Sequence, residues 1–151
     1  MHIVEKKRHT RKALILKDEN RKIVYVSRLF DGKIHDYQML KTSFPPSSDC
    51  FENVELNLDL GFIGIASDYK VGKLKIPHKR KRVKDGVSNE LEPEQKEYNK
   101  KVSSERVDIE HSIGQMKVCR AIHQVVRIRD RSVLDDIVLV AAGLANFKNS
   151  K

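Results

Sequence analysis

The hydrophobic pattern of the chain changes at Pro93, and this change sets the strongest limit on what the sequence can fold into. Before Pro93, apolar residues form short β-rich runs that are separated by polar breaks. After Pro93 they recur at helical spacing, as at Val102, Ile109 and Met116. Strands followed by long helices within 151 residues predict one α/β or α+β unit without internal repeats.

The first third of the chain predicts a β-hairpin followed by a short helix. Residues 13–16 and 23–26 are the two predicted strands, because both runs are apolar and flank the polar break at 18–20. The helix is predicted to have Asp36 as its N-cap and to stop before Pro45-Pro46.

Two more strands and a second long helix are predicted further along. The alternation over residues 51–58 predicts a strand that carries Asp59 at its carboxyl end. Residues 70–84 predict a short strand that continues into a basic loop. Residues 133–147 predict a strongly apolar helix that Gly143 weakens near its end.

The charge balance points to a polyanionic partner. Thirty Lys and Arg residues against 21 Asp and Glu give a net charge of +9, which favours phosphate binding through counterion release. No window approaches the roughly 20 apolar residues of a membrane span, and no secretory signal is evident, so we expect a cytoplasmic protein. Cys50 and Cys119 lie far apart with no Cys or His cluster beside them, which predicts neither a disulfide framework nor a zinc module; both are expected to be buried or half-buried.

Three charged residues of the first long helix share one face. Arg106, Glu110 and Lys117 follow each other at steps of four and seven, so their side chains project together. An ordinary Arg–Glu surface pair with a nearby Lys has the same spacing. Asp59, followed by Gly61, is either an acid at the end of a strand or a residue that begins a turn. Asp59 and Glu110 are two of the convergent carboxylates that divalent metal chemistry on phosphodiesters requires.

Six segments in sequence order closely resemble the insertion-sequence transposases of the DDE superfamily in bacteria. They cover most of the chain: GKIHDY (32–37), DLGFIGI (59–65), IPHKRKR (76–82), EQKEYNK (94–100), RVDIEHSIGQMK (106–117) and AGLANF (142–147). The resemblance implies a ribonuclease-H-like fold, a mixed β-sheet with flanking helices, in which Asp, Asp and Glu bind two Mg²⁺ or Mn²⁺ ions that cleave and rejoin DNA.

The resemblance assigns roles to individual residues. Asp59 matches the second acid and Glu110 the third, both as catalytic metal ligands. Arg106 and Lys117 match the partners of the glutamate that contact transposon-end DNA in the family's Y-x-x-R-x-x-x-E-x-x-x-x-x-x-K pattern. Ser103 stands in place of the tyrosine of that pattern, which removes its particular DNA contact.

The first acid of the family has no counterpart here. In the family it lies on a strand before the K-K-R-H-T segment, which begins in this chain at Lys6. We therefore expect the carboxyl-terminal part of a transposase with the first strand of the fold missing. We expect it to be inactive alone, completed by an amino-terminal half of the same enzyme, homo-oligomeric when complete and associated with the nucleoid; a decayed remnant is the alternative. Asp36 as a replacement acid is disfavoured, because it matches the family's own H-D pair.

Two basic strips are candidates for DNA backbone contact. Residues 78–84 include Lys79, Arg80, Lys81 and Arg82, for which phosphate contact is favoured over a solvated loop or a localisation signal. For the second strip, Arg127, Arg129 and Arg131, DNA contact and solvation are equally compatible with the sequence. His111 is predicted to lie on a helix surface or in packing. A non-enzymatic basic nucleic-acid-binding domain remains the rival function, since it uses the same cations but not the two acids.

Overall fold

A computed structural model describes residues 10–80, 90–123 and 128–149 of the chain. Within these ranges, short strands and two short helices come before Pro93 and only helices follow it, as the change of pattern at Pro93 predicts. The elements in chain order are β1 (Arg11–Lys12), β2 (Ile15–Lys17), β3 (Ile23–Val26), β4 (Phe30–Asp31), α1 (Asp36–Ser43), β5 (Glu55–Asn57), a 3₁₀ turn (Leu60–Phe62), α2 (Ile65–Asp68), β6 (Lys73–Lys75), α3 (Pro93–Lys117), α4 (Arg120–His123) and α5 (Arg131–Asn149).

The predicted hairpin is confirmed. Strands β2 and β3 pair antiparallel with Ile15 opposite Val26, and β1 and β4 continue the same ribbon as a second antiparallel pair. The turn closes through the Asp18 carboxylate, which accepts from the Lys22 N–H at 2.8 Å. Arg21 takes the left-handed conformation at φ 63°, which completes the reversal.

Helix α1 is confirmed, but its predicted N-cap is wrong. His35 is the N-cap and Asp36 is the first helical residue. The Nδ1 atom of His35 accepts from the Tyr37 N–H at 3.3 Å, so the imidazole does what a capping carboxylate would do, while Asp36 lies in the first turn. The helix ends at Ser43, and its C-cap Phe44 comes directly before the two prolines.

The predicted strand over residues 51–58 is shorter in the structure, where only Glu55–Asn57 is extended. Phe51 is buried in a turn and packs its ring near those of Phe44 and Tyr69, at centroid distances of 5.2 and 5.7 Å. Burial of this ring fixes the turn, and β5 begins only after it. Strand β5 then pairs parallel with β6, in the register Leu56 to Leu74.

Helix α3 and helix α5 are both confirmed. The α3 helix begins at Pro93, where Glu92 and Gln95 form a reciprocal capping box, and it buries Val102, Ser112 and Met116. The α5 helix runs unbroken through Gly143 to Asn149, so the predicted weakening at Gly143 is not seen. Its buried face is built from Val138 and three alanines, which allow a close approach to the hairpin and to α3.

The core consists of two hydrophobic clusters. The first packs α1 against β5, β6 and α2, and its fully buried members include Leu40 and Ile65. The second packs α5 and α3 against the hairpin around Ile23 and Met116. A side-chain amide joins these last elements: Asn146 accepts from the Ile23 N–H at 2.7 Å and donates to the Ile23 carbonyl at 2.8 Å.

The structure is a mixed α/β arrangement, but the predicted single mixed sheet is not observed among the described residues. They form three two-stranded ladders, two antiparallel and one parallel. Among the described residues, the hairpin and the β5–β6 pair share no ladder. Cys119 is half-buried as expected, whereas Cys50 is exposed, which corrects the prediction for that residue. Within the described ranges, no helix is both long and apolar enough to cross a membrane.

Candidate functional site

Asp59 lies at the carboxyl end of β5, where the sequence places it. Its backbone is extended, and its side chain caps the 3₁₀ turn by accepting from the Leu60 N–H at 2.7 Å through Oδ1. Leu58 still donates to the carbonyl of Lys75, so the ladder holds the chain until one residue before Asp59. The carboxylate is therefore fixed by the strand behind it and the turn ahead of it, with 51% of its side chain exposed.

Both oxygens of the Asp59 carboxylate are bound by Arg106 of helix α3. The two guanidinium nitrogens donate to Oδ1 at 3.0 Å and to Oδ2 at 3.1 Å, a parallel fork between side chains 47 residues apart. Helical spacing predicts that Arg106 lies beside Glu110, but it does not predict Asp59 as the partner of Arg106. The contact brings a motif of the strand end and a motif of the helix into one site.

A second ion-pair network anchors α3 to the parallel strands. Glu105 accepts from Lys75 of β6 at 2.8 Å and from Asn57 of β5 at 3.0 Å. Hydrogen bonding to Glu105, and then to Glu55, raises the pKa of Lys75 above its ordinary value, and the bonds from Lys75 and Lys73 lower that of Glu55. Glu105, Asn57 and Lys75 are not predicted as site residues from the sequence, because alternating charges on short strands are also typical of solvated edges.

Glu110 lies on α3 one turn beyond Arg106, about 6 Å further along the helix axis. It is exposed and lines a shallow depression together with Arg21, His111 and Gln115. The structure thus connects Asp59 to the helix of Glu110 through Arg106. Lys117 is the last residue of α3, on the exposed side. His111 is exposed on the helix, the first of the two positions predicted for it, rather than in packing.

Asp36 lies near the loop that follows Asp59. A Cβ built on Gly61 would lie 3.4 Å from the Asp36 Oδ2 atom, so the start of α1 and the 3₁₀ turn are neighbours. The Asp36 carboxylate is paired with Lys12 at 3.0 Å. Across the described ranges, no three His, Cys, Asp or Glu residues are grouped so that they could hold a metal ion.

The first basic strip is attached to α3 at its start. Asn99 accepts from the His78 N–H at 2.7 Å and donates to the His78 carbonyl at 3.0 Å, while the rings of His78 and Tyr98 lie 5.1 Å apart. Lys79 and Arg80 follow and are exposed, as a phosphate-contacting role requires. Lys81 and Arg82 lie outside the described residues, as does Arg127 of the second strip.

Comparison with known proteins decides the family. A family model described as "DDE superfamily endonuclease" matches residues 3–146. The chain belongs to this family. It is also 29% identical over 100 residues to the probable transposase for insertion sequence element IS702 of Microchaete diplosiphon. That match covers 66% of this chain and 33% of the relative, so the chain corresponds to about a third of the relative's length. No solved structure matches.

The contacts described above lie in the part of the chain that matches the family. Endonucleases of this superfamily are generally dependent on divalent metal ions. Asp59, Arg106 and Glu110 lie within the matched range, as do the first basic strip and its clamp from Asn99.

Proposed function

We propose that this chain is the part of a transposase catalytic domain that carries the second and third acids, Asp59 and Glu110. The observation that carries the proposal is the Asp59–Arg106 fork, which holds the strand-end acid against the helix that presents Glu110 four residues later. An ordinary surface ion pair need not join two separate sequence motifs that both match the pattern of one family.

The two acids fit a divalent cation. Carboxylate oxygens are the ligands that Mg²⁺ and Mn²⁺ prefer, and both side chains are exposed to solvent. Asp59 also holds a positive group already, since the Arg106 guanidinium is bound to both of its oxygens. When bound, the metal ions would supply charge stabilisation for the attacking and leaving oxygens of a phosphodiester.

The cations of the chain bind DNA in this proposal. Lys79 and Arg80 are exposed beside a backbone that Asn99 holds to α3, which suits repeated contact with phosphates rather than with base edges. Lys81 and Arg82 extend the same strip in sequence, and Lys117 continues the face of Arg106 and Glu110. Together these residues position the transposon end, while the two acids act on the phosphodiester.

The first acid comes from outside the described residues in this proposal, on a strand supplied by an amino-terminal segment of the same transposase. A ribonuclease-H-like sheet is the arrangement we propose for the completed domain. The strand pairing supports this arrangement. Within the described chain, β2 pairs with β3 and β5 pairs with β6, so each of β2 and β5 is paired on one side and can take a further strand on the other. The complete enzyme acts as a homo-oligomer at the nucleoid, and the 151-residue chain alone is inactive.

The test is DNA nicking by the chain joined to the segment encoded upstream of it. We expect magnesium-dependent nicking of supercoiled plasmid by the joined protein and none by the 151-residue chain. Asp59→Asn and Glu110→Gln should each abolish nicking. Glu97→Gln is the matched control, because Glu97 is an exposed glutamate on the same helix.

Two results would contradict the proposal. Nicking by the 151-residue chain that disappears in Asp59→Asn would show that the first acid is dispensable. Equal nicking by the Glu110→Gln and Glu97→Gln proteins would remove Glu110 from the site. A non-enzymatic DNA-binding domain predicts magnesium-independent DNA binding that neither acid substitution weakens.

A further inference from the structure

The Asp59 carboxylate has little capacity left for another cation. A carboxylate offers about four lone-pair positions for hydrogen bonds or metals. The Arg106 fork takes one on each oxygen, and the Leu60 N–H takes another on Oδ1. A divalent ion arriving at the remaining position would also lie next to a guanidinium of like charge, and at such separations that repulsion is substantial even in a near-aqueous environment.

Only the Arg106 side chain has to move to open this site. Helix α3 is held to β5 and β6 by Glu105, so the helix itself is anchored beside Asp59. The Arg106 side chain is 29% exposed and lies at the surface, where rotation of its long stem can carry the guanidinium away from the carboxylate. A phosphate accepts the same bidentate fork as a carboxylate and is the natural competing partner.

We propose that Arg106 is a gate on the Asp59 cation site. In the DNA-free chain it binds Asp59 and keeps divalent cations out, and its transfer to a DNA phosphate releases the carboxylate. Metal loading and DNA binding are then coupled through one side chain, and the coupling acts equally in both directions. This inference rests on the proposed function, because it takes Asp59 to be a metal ligand.

The first experiment measures Mn²⁺ binding to the full chain without DNA, from the electron paramagnetic resonance signal of free Mn²⁺. We expect Arg106→Gln to bind Mn²⁺ about ten-fold more tightly than the wild type, because the competing charge next to the carboxylate is gone. Arg106→Lys keeps the charge but loses the fork, and its affinity should lie between the two. The added affinity should disappear when Asp59→Asn is combined with Arg106→Gln.

Lys96→Gln is the matched control. Lys96 pairs with Glu90 at 2.8 Å and lies ten residues before Arg106 on α3, about 15 Å away along the helix axis, so its loss changes the net charge equally without touching Asp59. We expect wild-type Mn²⁺ affinity for this variant. Equal affinities of the Arg106→Gln and Lys96→Gln proteins would overturn the gate, as would an absence of Mn²⁺ binding by Arg106→Gln.

The second experiment uses no metal. In the presence of EDTA, Asp59→Asn frees Arg106 and should tighten binding of a fluorescent DNA duplex about three-fold more than Asp108→Asn does. This difference corresponds to the free energy of one surface ion pair. Asp108→Asn is the control, because Asp108 lies on the same helix and pairs with Arg21 at 2.9 Å and not with Arg106. Arg106→Gln should remove this difference in a double-mutant cycle. Equal tightening by both aspartate substitutions would refute the gate. The proposed function fails on a different result, namely nicking by the joined protein that does not depend on Asp59 and Glu110.

Discussion

Replacing Asn146 by Ala tests how much the last helix stabilises the hairpin. The Asn146 amide makes two hydrogen bonds to the backbone of Ile23, accepting from its N–H at 2.7 Å and donating to its carbonyl at 2.8 Å. Ile23 is buried, with 6% of its surface exposed, so the two backbone groups have restricted access to water once the amide is removed.

The magnitude follows from what is left unpaired. An unsatisfied buried backbone donor or acceptor costs about 1–3 kcal/mol, and two groups at a partly accessible site give a loss of about 2–3 kcal/mol in the free energy of unfolding. For a chain of this size, each kcal/mol lowers the melting temperature by about 2–4 °C. We therefore expect Asn146→Ala to melt about 5–10 °C below the wild type.

Circular dichroism at 222 nm, followed through urea and thermal unfolding, measures this loss. Asn149→Ala is the control on the same helix, because Asn149 makes a single exposed bond of 3.4 Å to the Arg21 carbonyl. Its cost should stay below about 0.5 kcal/mol. A loss for Asn146→Ala no larger than that for Asn149→Ala would refute the reasoning, since the double bond to Ile23 would then contribute nothing measurable.

Three further outcomes follow from local geometry. Gly143→Ala should raise the free energy of unfolding by about 0.5–1 kcal/mol, because a Cβ at this position meets nothing within 4 Å on an unbroken helix. Urea unfolding measures this gain, and a lower free energy of unfolding would contradict an unbroken α5 helix at Gly143. Gly72→Ala should lower the free energy of unfolding by about 1–3 kcal/mol, because its Cβ would lie 2.8 Å from a backbone carbonyl oxygen of the turn before β5. An unchanged urea midpoint would contradict this, since the turn would then move aside without cost. The hydrogen bonds from Lys41 and Tyr37 hold the pKa of Asp68 below its ordinary 3.8, so its contribution to stability is present above pH 3.8 and disappears as the pH falls through the lower folded-state value. Asp68→Asn should flatten the acid limb of the urea midpoint plotted against pH, and an unchanged limb would exclude Asp68 as its source.

Local patterns predicted the elements that depend on local interactions. The hairpin turn, the start of α3 and the stop of α1 before the prolines each depend on a few neighbouring residues, and all three are confirmed. The limits of β5 were wrong because Phe51 is fixed by tertiary packing against Phe44 and Tyr69, which an alternating pattern does not reveal.

Sequence patterns select the residues of the candidate site but do not give their contacts. Spacing placed Arg106 and Glu110 on one helix face, and alternation placed Asp59 at a strand end. The fork between Asp59 and Arg106 joins side chains 47 residues apart, and no local rule pairs them. The anchoring of α3 by Glu105 was missed for the same reason.

The amide bond between Asn146 and Ile23 also bears on the order of events during synthesis, because its partners are 123 residues apart. Translation proceeds from the amino terminus, so the hairpin leaves the ribosome long before α5 is made. Until then its inner surface, including Ile23, lacks the helix that covers it in the folded chain. At about 5–20 residues per second this interval lasts several seconds, a long time for an apolar strand to stay exposed to chaperones or to a neighbouring nascent chain.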